Sequence, residues 1–175
     1  MNMQTGPAPG QSIERWLLLT GLLEIANVGI FAMLWLTLNR IIPGESDVLS
    51  LAGLFTTGLL LFVGGLYWLL KRARFFERMA PRPRLRLLQA VYALTGLSLL
   101  VYPALLAIRL LAGLPVERGD ALLGAGLWLF GVGEFVHYFI VKINMRPDER
   151  RRGRPVPARL RRELERAIRQ VRQVG

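Results

Sequence analysis

Two short stretches place groups capable of proton chemistry inside apolar runs. Near the start, G-L-L-E-I-A-N-V-G-I carries Glu24 and Asn27. Near the end, L-L-G-A-G-L-W-L-F-G-V-G-E-F-V-H-Y-F-I-V-K carries Glu134, Tyr138 and His137, the only histidine of the chain. Both have the pattern Glu-x-x-polar, and residues three apart share a helix face, so each pair can work as a unit. Such groups at membrane depth are costly unless paired or wetted, which makes them a functional-site hypothesis by default.

Three readings of this set stand open. In the first, each carboxyl is neutral and hydrogen-bonds across a helix interface as structural glue. In the second, Glu24, Glu134 and His137 line a pocket or path for a proton, an ion or a small solute, histidine being the side chain that titrates near neutral pH. In the third, the site is catalytic or metal-bearing. Two glutamates with one Glu-x-x-His make half the ligand set of a di-iron carboxylate bundle, and a dimer could complete it or hold a haem between two copies of His137. No Walker-type loop and no Ser-His-Asp set points to conventional soluble chemistry. Nothing in the sequence requires a cofactor or a metal.

The elements that position these residues follow from hydropathy. Of 175 residues, 53% are hydrophobic, and none is cysteine, which excludes a disulfide framework and a thiolate metal site. Four apolar runs, at about 16–38, 49–70, 87–111 and 121–141, meet the length of roughly 20 residues that a transmembrane helix needs. The expected fold is an all-α integral membrane protein with four transmembrane helices. Its parts are an N-terminal segment 1–15, a four-helix transmembrane domain 16–142 and a basic tail 143–175. The first fifteen residues lack the basic n-region and cleavage site of a signal peptide, so the first run reads as a retained span.

The net charge of +11 is segregated. Seven basic residues against Glu77 alone lie between the second and third spans, from Lys71 to Arg86, and the tail after the fourth span carries twelve against four acidic. The other two connections are nearly balanced. The positive-inside rule then places both termini and the central loop in the cytoplasm of a bacterial-type inner membrane. In that orientation Glu24 lies eight residues inside Trp16 and Glu134 eight residues before Lys142. At the helical rise both carboxyls sit roughly 12 Å from the cytoplasmic boundary, where they could face each other.

Glycine is dense in the second and fourth spans, and small residues mark contact faces between helices in lipid. Gly58, Gly64, Gly65, Gly124, Gly126, Gly131 and Gly133 are the expected packing positions. The pairs Gly124/Gly131 and Gly126/Gly133 put the fourth helix in contact with protein on more than one side. L-T-G-L-L at Leu19 matches L-T-G-L-S at Leu94, and Phe55–Val63 matches Trp128–Val136, which allows a tandem two-helix repeat, though leucine-rich helices also match by composition. Pro103 should kink the third span and free a carbonyl that a neighbour must satisfy.

Beyond a Pro-rich break, residues 158–174 read as a cytoplasmic amphipathic helix, with Leu160, Leu164, Ile168 and Val171 on one stripe. Its arginines, Arg159, Arg162, Arg166 and Arg169, are expected at the anionic inner-leaflet surface, with packing on a partner as the alternative. Nucleic acid is not expected, since the segment has no aromatic residue to stack on bases. Four helices enclose little interior, so a homo-oligomer or a larger membrane complex is the expected state. The expected function is non-enzymatic: a channel or transporter component, or a subunit of a membrane complex. The alternative is a small integral membrane enzyme or a metal- or haem-binding protein using Glu24, Glu134 and His137.

Overall fold

The computed structural model describes residues 9–41, 48–140 and 158–174; the chain before Pro9 and the Pro-rich break 143–157 lie outside the described residues. All described elements are helical. They are α1 (Pro9–Ile41), α2 (Val48–Arg72), the single turn α3 (Phe75–Arg78), α4 (Pro81–Ser98), α5 (Val101–Leu111), α6 (Arg118–Phe135), which runs on into a π turn (Val136–Ile140), and α7 (Arg159–Val174). Four stretches are long and apolar enough to cross a membrane: Ile13–Leu38, Val48–Arg72, Pro81–Leu111 and Arg118–Ile140.

Burial runs opposite to the pattern of a water-soluble protein. Ser50, Thr56, Thr57 and Thr95 are wholly buried, whereas Leu23, Met33 and Leu122 are 63%, 70% and 74% exposed. In water, so much contiguous apolar surface would drive association. In lipid it is the stable arrangement, because leucine gains nothing by leaving hydrocarbon and helices are held instead by close backbone approach and hydroxyl bonds. Thr57 Oγ1 donates to the Leu127 carbonyl, and Thr56 Oγ1 donates to the Ala52 and Ser98 carbonyls at 3.0 and 2.9 Å. The fold therefore suggests a multi-pass membrane protein.

The central helix is α2, which packs along both α1 and α6. Glycine makes both contacts possible. A Cβ at Gly124 would stand 2.5 Å from the Leu49 carbonyl oxygen of α2, and one at Gly65 would stand 2.8 Å from the Gly21 carbonyl oxygen of α1. Gly131 meets Thr56 and Leu60, and Gly58 meets Val28 of α1 at ordinary contact distance. At Gly126 and Gly133 a Cβ meets nothing within 4 Å inside the chain. Two residues along a helix turn the side chain by about 200°, so the pair that follows Gly124 and Gly131 at that offset faces away from α2.

The third span is two helices, α4 and α5, interrupted at Leu99 and Leu100. Pro103 has no N–H to offer the carbonyl four residues earlier, and that oxygen, of Leu99, accepts instead from Trp128 Nε1 at 2.8 Å. The Trp128 ring stacks on Tyr102, with centroids 5.8 Å apart. The helix starts at Pro81, six residues ahead of the apolar run, because proline's fixed φ and missing N–H suit a first helical position.

Helix α7 is seated on the chain itself. Leu160 and Ala167 are 3% and 0% exposed and join the core of Tyr67, Phe76, Leu88 and Phe139. The apolar stripe expected on lipid is thus covered in large part by α4 and the π turn. Arg166 and Arg169 point outward and Arg162 is half-buried, while the side chain of Arg159 lies outside the described residues.

Candidate functional site

Glu24 and Tyr138 meet across α2, and the Gly64–Gly65 pair makes the meeting possible. Gly65 lets the α1 backbone approach, with the Glu24 Cβ 3.2 Å from where its own Cβ would be. Gly64 lies beneath the Tyr138 ring, where a Cβ would stand 2.6 Å from the ring carbon that bears the hydroxyl. Over this saddle the Tyr138 hydroxyl donates to Glu24 Oε1 at 2.5 Å. The π turn widens the helix at this point, so that adjacent residues Tyr138 and Phe139 are both buried. Single π turns within α-helices occur often at functional sites.

Glu134 is half-buried one turn before Tyr138, and its carboxyl lies within electrostatic reach of Glu24. The first and fourth spans therefore bring their acids to one locus, with Tyr138 between α1 and α6 and the Trp68 indole beside its hydroxyl. His137 packs edge-on against Tyr138, ring centroids 5.4 Å apart, and is half-buried. Asn27, one turn beyond Glu24 on α1, is half-buried as well. What the structure assembles is thus an acid pair with a phenol donor and a histidine on the same turn, Asn27 standing next along α1.

The opposite end of the bundle holds a different carboxylate. Asp120, 8% exposed in the first turn of α6, accepts from the Leu49 N–H at 3.0 Å and the Ser50 N–H at 2.7 Å. Those are N–H groups of the first turn of α2, which have no partner inside their own helix. Trp35 Nε1 of α1 donates to Ser50 Oγ at 3.0 Å and ties the first helix to the same point. Nothing in the sequence marks Asp120 as a cap, because one supplied from 70 residues away leaves no local signature.

A fourth acid, Glu163 of α7, faces inward at 8% exposure. It pairs with Arg84 of α4 and, at 3.5 Å each, with Lys71 of α2 and Arg166 of its own helix. A buried carboxylate requires such partners, since an unpaired one costs several kcal/mol or more. Its signal was present in the sequence: Glu163 lies at i+3 from Leu160 and i−4 from Ala167, on the stripe that should be apolar.

Among the described residues no group of three or more His, Asp or Glu side chains is gathered as a metal site. Glu24, Glu134 and His137 thus do not form a three-ligand set in the single chain. No family model matches the chain, and no curated protein and no solved structure matches it.

Proposed function

We propose that this chain is a non-enzymatic membrane component, a channel or transporter component or a subunit of a larger membrane complex, whose Glu24–Tyr138–Glu134 group takes up and releases a proton within the bilayer. The observation that carries the reading is the hydrogen bond from Tyr138 of the fourth span to Glu24 of the first, with Glu134 one turn before Tyr138 on the same helix. Two carboxyls that share a site cannot both ionise cheaply, so the pair holds a proton that a neighbouring donor or acceptor can exchange. Tyr138 supplies a donor to Glu24, and His137 on the same turn supplies a group suited to passing the proton toward the membrane surface.

The remaining parts of the reading rest on charge and packing. The Lys71 and Arg84 side chains and helix α7 meet at one end of the bundle, which fits a common cytoplasmic side for the central loop and the C-terminal helix under the positive-inside rule in an inner membrane. The outward Gly126/Gly133 face and the exposed leucines of α1 fit contact with lipid or with a second membrane subunit, as in a homo-oligomer.

The test is an infrared titration of the full chain in a bilayer, with isotope-labelled glutamate, paired with proton flux into vesicles after a pH step. The wild type should show a carboxyl C=O band that changes across the neutral range. Glu134→Gln should remove that change and any protein-dependent flux. A carboxyl band that is identical in wild type and Glu134→Gln would overturn the reading.

A further inference from the structure

At the end of the bundle where α7 docks, two cavities share a wall. One is polar, about 190 Å³, and its lining includes Lys71, Arg74, Arg84 and Arg166 against Glu77 and Glu163. By the same measure a single water needs only about 10–15 Å³, so the space admits a group the size of a phosphate. The other is an apolar groove between α2 and α4, lined by Val63, Leu66, Leu70, Leu87 and Val91 among others. Phe76 of α3 lines both, so the groove and the cleft adjoin across that one side chain.

We infer that this composite site binds one anionic phospholipid of the surrounding membrane, headgroup phosphate in the cleft and an acyl chain along the groove. The inference rests on the membrane reading above and adds a specific ligand to it. Charge complementarity argues for the anion: four cationic side chains face two carboxylates. Glu163 engages Lys71, Arg84 and Arg166, and its one charge cannot neutralise three. Arg84 Nε is buried with no hydrogen-bond partner among the described residues, and Arg74 makes no ion pair among them. The Lys71 ammonium is held at the mouth by the Tyr67 hydroxyl, 3.2 Å away, with Tyr67 itself in the groove wall. The apolar groove adjoining the cleft argues for a lipid over a free phosphate, because an inorganic anion would leave that surface uncovered. Basic pockets beside transmembrane helices bind lipid headgroups by this combination of charge and apolar contact.

The experiment is native mass spectrometry of the full chain released from mixed micelles of equal phosphatidylglycerol and phosphatidylcholine, with inorganic phosphate as a separate arm. The wild type should retain phosphatidylglycerol preferentially. Arg74→Gln, which breaks no ion pair among the described residues, should lower that preference about fivefold, the factor carried by one basic residue near an anionic surface. Leu66→Trp should lower retention by filling the groove while leaving the cations in place. Equal retention of the two lipids would overturn the site while leaving the membrane reading intact. Displacement of the lipid by millimolar phosphate would overturn it in favour of a free anion. Release of the protein from membranes by alkaline carbonate would overturn both readings together.

Discussion

At the end of the bundle where α2 and α6 begin, Asp120 commits both carboxylate oxygens to backbone N–H groups, and the surrounding Trp35, Tyr102 and Trp128 each donate to a fixed acceptor. Toward the other end, Glu24 accepts a bond from Tyr138, and the second acid beside it, Glu134, is only half-buried. The first arrangement is saturated, each oxygen of Asp120 already holding an N–H of the first turn of α2. At the second, Tyr138 donates to one acid of the two, and under the proposed reading a proton could be exchanged there without the loss of a helix cap. The proposed reading thus turns on how completely the carboxylate oxygens are used, with Asp120 at one extreme and the half-buried Glu24 and Glu134 at the other.

The largest effect should come from breaking the saturated end. Asp120→Ala removes two charge-assisted bonds and strands two buried N–H groups, for a loss of roughly 3 kcal/mol in thermal or denaturant unfolding in detergent. A loss below about 1 kcal/mol would mean that water or another group caps α2 and that the contrast between the ends is false. Next in size is Gly64→Ala. The added methyl collides with the Tyr138 ring, and overpacking of this kind costs about 1–3 kcal/mol. It should also release Tyr138 from Glu24, read as a shift of the tyrosine ring band in ultraviolet resonance Raman. An unchanged band would show that the saddle does not hold the phenol.

The smallest stability effect belongs to the acids themselves. Glu24→Gln and Glu134→Gln keep shape and a hydrogen-bonding end, so each should change stability by less than about 1 kcal/mol. The double-mutant cycle should nevertheless show coupling of about 0.5 kcal/mol or more, the range for residues in one network. Strict additivity would mean that the two acids do not meet.

Much of this architecture was legible in the chain because bilayer thickness and helical rise are fixed lengths. Counting residues from Trp16 and back from Lys142 was enough to bring Glu24 and Glu134 level. The Tyr138–Glu24 bond was not legible, since it depends on a π turn and on the adjacent glycines of another helix. Glycine content marks contact positions but not their direction: Gly124 and Gly131 face α2, and Gly126 and Gly133 face outward. The periodicity of residues 158–174 located an apolar face without saying what would cover it, and Glu163, the inward acid on that face, was the residue that told protein from lipid.

The docking of α7 has a consequence for the order of events during synthesis. Helix α7 follows all four spans in the chain, yet it supplies the carboxylate that neutralises Arg84 at the base of the third. While the ribosome is still making the fourth span, that guanidinium has no Glu163 to meet. The bundle is latched by a segment translated after its walls, so a nascent chain stopped short of α7 differs from the finished one in lacking the Glu163 partner of Arg84.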